Sequence, residues 1–538
     1  MNKAQPPLLN LTIRRQSLGL GVLALLLFIA GSWHQAIIGF DSRFVLFAQE
    51  MLRHGPGFFP TTYGQPYADY LATSTLLTWL LSLPLGQVTS LTAWLPTATA
   101  SAVIVTLVYR LTAPYSQRWG LLSIALLSLS STFISETRSV SLDEMLAAIT
   151  LAVFYLGYAH DHFGANKRLH WLYLLLIIGF AIRGPIGLVV PAGVLCSYYL
   201  INRQWRQLLS FGLLAFALLV AGVGLLLLMA KLSGGESFMQ DVIRMQFLGR
   251  MDGSEGSSGV LYYFTSSLGN YAMAYPLALL VLLAVALGGR RTPEPALQLV
   301  LYCAAAGLLV MLGLSIPEAK KARYVLPMLP MAAIIAAYPF QAGHGRLFAG
   351  LRGLMLAIWT VLPALLIAGL IVARRHYAEQ LGALGLAFAV LGGLQALALL
   401  ALWKARPLGP ALVAVVAVWV TYIGVVEPLV RAVYDTRTFT LQVHEQVMQQ
   451  RAPVILHGLG KDAKAIKYMV NINCDEVPLF TRQPADLNPI QGPAWLVMSE
   501  ADYKGLQDPR FRDITPTLTG EFDRNAYVLL YLAKIPRP

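Results

Sequence analysis

Roughly a dozen apolar runs long enough to cross a bilayer divide this chain, and nearly every ionisable residue that does not flank such a run falls on one side of them. A hydrocarbon slab takes about 20 apolar residues in helical form, because a helix satisfies its own backbone polar groups where no water can. The runs therefore commit the chain to an α-helical polytopic membrane architecture. Composition agrees. The 538 residues are 57% hydrophobic and 12% charged, against about a quarter charged in soluble proteins. The formal charge of +13 comes from basic pairs at the ends of apolar runs. That is the pattern of cytoplasmic anchoring and contact with anionic lipid, and it excludes nucleic-acid binding. Cys196, Cys303 and Cys474 are far apart, two of them inside apolar runs, which suggests neither a disulfide framework nor a metal site.

Lys3, Arg14 and Arg15 precede the first run, 18–38, which places the N-terminus in the cytoplasm; with no small-residue cleavage site after it, this run reads as a retained anchor. From there the runs alternate: 89–111, 120–135, 142–158, 171–201, 211–230, 271–287, 296–315, 324–338, 354–373, 381–402 and 412–426. Arg110, Arg118, Lys167, Arg168, Arg203, Arg206, Arg290, Arg291, Arg346 and Arg352 mark the cytoplasmic turns. The stretch 171–201 is too long for one helix, and Arg183-Gly184-Pro185 interrupts it, so it reads as two helices meeting near the outer surface. The total is about 13 spans. Residues 39–87 form a large first outer loop, 231–268 a polar outer loop, and 317–323 a short outer turn. Residues 1–430 then make the transmembrane domain, and 431–538, with no spanning run, a small extramembrane α/β domain. In that tail 452–457, 494–498 and 526–533 read as strands, and 440–450 and 463–470 as helices. His457-Gly458-Leu459-Gly460-Lys461 lies between a strand and a helix but lacks the spacing of a phosphate loop, so an ordinary turn is favoured.

Charges close to hydrocarbon usually mark chemistry or transport. Asp41 opens the first outer loop, followed by an amphipathic stretch with Phe44, Phe47, Met51 and Leu52 on one face and Arg43, Gln49, Glu50 and Arg53 on the other, as in a helix lying in the headgroup plane. Tyr63 to Tyr70 follow, with Asp69 among them. A second segment holds Glu136, Arg138, Asp143 and Glu144; Ser141 there fits a helix N-cap with Glu144 completing a capping box, which leaves Arg138 unexplained. Cations stand at Arg183 and at Lys320, Lys321 and Arg323, beside Tyr324. Carboxylates and clustered cations at one boundary suit a lipid phosphate held by Arg and Lys, with a carboxylate taking the proton of an incoming hydroxyl or amine.

This order of signals resembles the integral-membrane C-type glycosyltransferases, in the branch of bacterial aminoarabinose transferases of the lipid A pathway and protein O-mannosyltransferases. Asp41 matches the family's first acid, with Ser42 where a second acid is usual. Gly64-Gln65-Pro66-Tyr67-Ala68-Asp69-Tyr70 follows the pattern Gly-x-Pro-Tyr-x-Glu-Lys-Pro-Pro, with Asp69 keeping the charge of Glu, Tyr70 in place of Lys and the two prolines missing. Arg138, Ser139, Leu142 and Asp143 match Arg-Ser-x-x-Leu-Asp, Arg183-Gly184-Pro185 stands for Lys-Gly-Pro, and Pro317, Lys320, Tyr324, Leu326 and Pro327 follow Pro-Lys-x-Lys-x-x-Tyr-x-Leu-Pro loosely.

The resemblance implies a bacterial inner-membrane enzyme with its active site facing the periplasm. It would move a sugar, a pentose or an aminopentose such as 4-amino-4-deoxy-L-arabinose being favoured, from a polyprenyl-phosphate donor to a lipid A-type glycolipid or a protein, with inversion. Asp41 and Asp143 would be the catalytic acids; Arg43, Asp69, Tyr70, Arg138, Arg183, Lys320, Lys321, Arg323 and Tyr324 would bind substrate. Some relatives hold a divalent metal ion through the carboxylate at the position of Asp69 and histidines of a later outer loop. Residues 231–268 contain no histidine, so no metal site is carried over and a divalent ion remains only a candidate cofactor. The alternative class is a transporter or flippase for a lipid-linked or anionic solute, for which related halves and mid-membrane charges are expected; no internal repeat is evident. A catalytically silent assembly partner would not need the paired acids.

Overall fold

The structure is a computed structural model and describes residues 11–33, 35–164, 170–253, 256–288, 294–343, 345–404, 406–474, 477–490, 492–506 and 514–533. Lys3, Lys167, Arg168, Arg290 and Arg291 lie outside the described residues. Among the described residues nine helices are long and apolar enough to cross a membrane, or eleven if two bent pairs, Gln117–Ser128 with Ser131–Thr137 and Tyr262–Asn270 with Ala274–Leu287, are each one span. The expected count of about 13 differs by the two helices into which 171–201 divides, His170–Arg183 and Pro185–Ile201, each shorter than a full crossing. They fold back on each other with Gly179 against Gly187, where a Cβ on either would run into the other's carbonyl. The tip is Gly184, at φ +64°, a conformation open to glycine without strain, and it carries Arg183 beside it.

Two expectations need correction. The first helix is Leu11–Ile29, not 18–38, because Arg14 and Arg15 belong to its first turns; long basic side chains reach water from a helix end. The segment expected as a polar loop from 231 instead continues the helix Trp205–Ile243, which breaks at Gly234 and Gly235 and then winds through a π-helical turn at Arg244–Leu248. Most of residues 231–241 are exposed on this helix, so their polarity marks an uncovered helical segment rather than a loop.

The first loop holds the helix Asp41–His54 and a short hairpin of β1 (Thr61–Thr62) and β2 (Gln65–Pro66). The helix is amphipathic as read, but its polar face does not simply meet water. Phe44 and Phe47 pack with Tyr67, Tyr70 and Trp94, while Leu46 enters the core of the C-terminal unit. Gln49 donates to the Val470 carbonyl at 3.1 Å and Arg53 to Asn473 Oδ1 at 2.7 Å. Glu50 accepts from the Tyr63 amide at 2.6 Å and so fixes the hairpin.

That C-terminal unit is a five-stranded sheet in the order β4-β3-β5-β7-β6, from β3 (Val454–His457), β4 (Leu479–Thr481), β5 (Ala494–Ser499), β6 (Leu518–Phe522) and β7 (Asn525–Leu532). β3 runs parallel to β4 and β5, and β7 antiparallel to β5 and β6. Both faces are apolar: Leu456, Trp495, Val497 and Leu529 meet the helices Arg437–Gln449 and Ala465–Ile472, and Ile455, Leu496, Val528 and Leu530 meet Leu487 and Leu506. The turn after β3 is an ordinary strand-to-helix connection that rests on the first loop, its Lys461 carbonyl accepting from Tyr63 Oη at 3.0 Å.

Candidate active site

The helix ends and turns named above meet at one end of the bundle. Asp41, in the first turn of its helix, has both carboxylate oxygens engaged: Oδ2 accepts from Trp94 Nε1 and Oδ1 from the Val140 amide, each at 2.9 Å. Trp94 comes from the helix Ser90–Thr112 and Val140 from the turn before Leu142–His162, so the carboxylate pins three parts of the chain together. Burial pushes its pKa up to about 6, against the opposing pull of those two N–H groups and of the Arg431 and Arg323 charges. Each oxygen retains a further acceptor position. Asp41 lines a cavity of about 240 Å³ together with Phe40, Glu136, Arg323 and Tyr422.

Asp143 lies in the first turn of the helix Leu142–His162. Its Oδ1 is 3.1 Å from Arg183 Nε and its Oδ2 is 3.1 Å from Arg323 Nε, so one carboxylate holds two guanidiniums, one on each oxygen. Among the described residues neither guanidinium has another hydrogen-bonded partner, which leaves the outer nitrogens of both available to an anion. Arg183 also stands 5.4 Å from the Tyr324 ring and 5.9 Å from that of Tyr70, and Arg323 4.3 Å from Phe40. Of the expected cations Arg183 and Arg323 thus converge, and Arg323 joins the two parts of the site by touching Asp143 and lining the Asp41 cavity.

The remaining expected residues surround this core unequally. Arg43 lies 4.0 Å from Asp69 and over Phe40 and Tyr67, and donates to the Asp462 carbonyl at 3.3 Å. Tyr70 packs on Phe44 and Phe47, and burial raises its hydroxyl above the ordinary value. Asp69, Tyr70 and Arg183 border a small gap closed by Leu71, Ile182, Leu226 and Gln246. Lys320 donates to the Ser258 carbonyl at 2.9 Å and Lys321 stands 5.9 Å from the Phe40 ring. Arg138 is the expected cation with the most partners of its own. It lines the cavity, but its guanidinium is spent on Glu427 at 2.6 Å and on the carbonyls of Phe28 and Ala30 at 2.7 and 2.8 Å, so it ties the first and last spans together.

Ser141 caps its helix as expected, accepting from the Glu144 amide at 3.2 Å, but the capping box is not closed. Glu144 turns away instead and accepts from Ser101 at 2.8 Å, fully buried. Sequence reasoning did not single out Trp94, Glu427 or Arg431. Glu427 had a signal, a lone acid directly after the last apolar run. Among the described residues no three His, Cys, Asp or Glu side chains are grouped as a metal ion would need. A larger cavity, about 580 Å³, lies in the C-terminal unit between the two helices and β4; no acid lines it, and it stands apart from these carboxylates.

Residues 74–232 match the sequence family described as dolichyl-phosphate-mannose-protein mannosyltransferase. No curated protein sequence matches the chain significantly. The solved structure of ArnT from Cupriavidus metallidurans bound to undecaprenyl phosphate is similar with a TM-score of 0.72 at 16% identity, covering 96% of this chain and 98% of that one. The apo form of the same protein gives a TM-score of 0.69 at 17% identity, over 96% and 98%. The likeness read from the motifs thus holds at the level of fold: the chain is built like ArnT almost from end to end, with a mannosyltransferase-family segment inside it.

Proposed function

We propose that this protein is a polyprenyl-phosphate-dependent glycosyltransferase of a bacterial inner membrane, working at its periplasmic face. The observation that carries the reading is Asp143 with an arginine on each oxygen, next to the cavity that holds Asp41. Two guanidiniums held side by side fit the oxygens of a phosphate, and the carboxylate between them fixes their spacing before any ligand arrives. That the ArnT of the same fold was solved with undecaprenyl phosphate bound supports a polyprenyl phosphate as this ligand.

The chemistry follows as one displacement. An acceptor oxygen or nitrogen attacks the anomeric carbon while its proton passes to Asp41. The bond from that carbon to the phosphate oxygen breaks, and its electron pair leaves with the lipid phosphate, held by Arg183 and Arg323. A single displacement inverts the anomeric configuration. Asp143 serves here as the positioning residue for both arginines and not as a proton acceptor, because each of its oxygens already faces a permanent cation. The donor sugar is a pentose or an aminopentose such as 4-amino-4-deoxy-L-arabinose, and the acceptor a lipid A-type glycolipid or a protein.

The test is a reconstitution of purified protein in liposomes with a panel of polyprenyl-phosphate sugars, scoring both lipid and protein products. At least one donor should be consumed, and Asp41→Asn should lower turnover by about 10²–10⁴-fold, the range of a lost general base. Absence of transfer from every donor, or full turnover by the variant, would overturn the reading.

A further inference from the structure

The cavity beside Asp41 has a second carboxylate in its wall. Glu136, at the end of the helix Ser131–Thr137, is half-buried and borders the same 240 Å³ space as Asp41 and Arg323. Its Oε2 accepts from Ser141 Oγ at 2.5 Å, while Oε1 has no hydrogen-bonded partner among the described residues. The other acids at this end are committed. Asp143 holds two arginines, Glu427 holds Arg138 and Arg431, and Glu144 is turned to Ser101. Position 42, next to Asp41, is a serine only 1% exposed and supplies no charge. Arg323 closes the argument by geometry. Since it borders the cavity on one side and shares Asp143 with Arg183 on the other, a phosphate on the arginines would leave its attached sugar in the cavity, which has room for one ring.

We propose that Glu136 is a second substrate-facing carboxylate, whose Oε1 accepts a hydrogen bond from a hydroxyl or ammonium group of the donor sugar and so orients the anomeric carbon between Asp41 and Arg323. The inference rests on the glycosyltransferase reading and assigns its sugar subsite. Ser141 anchors one oxygen of the carboxylate; the other is the one offered to the ring. No proton changes hands at Glu136, which holds the sugar while Asp41 performs the transfer.

The variant that tests it is Glu136→Gln, which keeps the volume and an acceptor for Ser141 but removes the charge. With the preferred sugar donor its kcat/KM should fall about 30-fold, as for one lost charge-assisted hydrogen bond. Inhibition by sugar-free undecaprenyl phosphate, which reaches the arginines alone, should change less than about two-fold. Ser141→Ala, which removes the helix cap and the anchoring bond but leaves the carboxylate, should lose less activity than Glu136→Gln while melting lower. Equal kcat/KM for Glu136→Gln and the wild type would overturn the proposal. So would a loss of phosphate affinity and of melting temperature in Glu136→Gln that matches Ser141→Ala, since that is the behaviour of a purely structural carboxylate. A wild type inert toward every sugar donor would overturn this inference together with the function it rests on.

Discussion

Two clusters of one carboxylate and two arginines lie at the same end of the bundle, and their arginines are engaged to very different extents. Around Glu427 both carboxylate oxygens and all but one of the Arg431 nitrogens are engaged. Arg138 binds it at 2.6 Å, Arg431 at 2.7 Å, and the spare guanidinium nitrogens go to the carbonyls of Phe28, Ala30 and Ala36. Arg431 also covers the Trp94 ring at 4.4 Å. Around Asp143 the arginines spend one nitrogen each on the carboxylate and nothing more among the described residues. The first cluster closes on itself; the second is left open. What separates the two clusters is therefore not composition but the count of donors still unspent. Leaving several donors of a buried charge unpaired is costly, and an anionic ligand would offset that cost.

The sharpest way to break this contrast is to remove each carboxylate's role in turn. Glu427→Ala strands two buried arginines, so folding should weaken by about 3–5 kcal/mol, read as a fall in melting temperature and yield from detergent extracts. Arg183→Gln leaves Asp143 with Arg323, so the fold should survive, while affinity for undecaprenyl phosphate should fall about 10–100-fold for the lost bidentate contact. If Arg183→Gln melted as low as Glu427→Ala with unchanged phosphate affinity, both clusters would be structural. The smallest effect concerns Asp41 and pH. With its pKa pushed up to about 6 by burial, transfer should rise as pH climbs through about 6, where the basic form appears. Trp94→Phe removes a donor that favours the ionised form, so the acid limb should move to higher pH; a limb that stayed put would detach Asp41 from the pH profile. Stability runs the other way. A carboxyl whose folded pKa lies above its ordinary 3.8 favours folding fully below that value and loses this contribution as pH rises through about 6.

Much of this arrangement was legible in the chain. Hydropathy alone located the spans, and Arg183-Gly184-Pro185 inside an apolar stretch pointed to a broken segment, because an arginine, a glycine and a proline together oppose a continuous helix in lipid. Asp41, Asp143, Arg183 and Arg323 were visible as charges on one side. What stayed hidden was who pairs with whom. Arg138 and Glu427 are 289 positions apart, and no local pattern connects them. Arg138 therefore read as substrate-binding, with no sign in the sequence that its guanidinium also ties two spans together. In the tail, β3, β5 and β7 showed as apolar runs, whereas β4, with three residues, and β6, carrying Gly520 and Glu521, did not. The continuation of Trp205–Ile243 past 231 was missed for a different reason: polar residues sit on an exposed helix as readily as in a loop.

The hairpin that ends at Gly184 has a consequence for how this protein can vary. Arg183 is placed by bare backbone: two helices that touch through Gly179 and Gly187, and a reversal that only a residue without a side chain makes comfortably. An added methyl group at 179 or 187 would wedge the pair apart and carry the guanidinium off its mark, although neither position bears a charge or reaches a substrate. Loss-of-function alleles should therefore surface at uncharged glycines within the apolar interior as readily as at the arginine they aim.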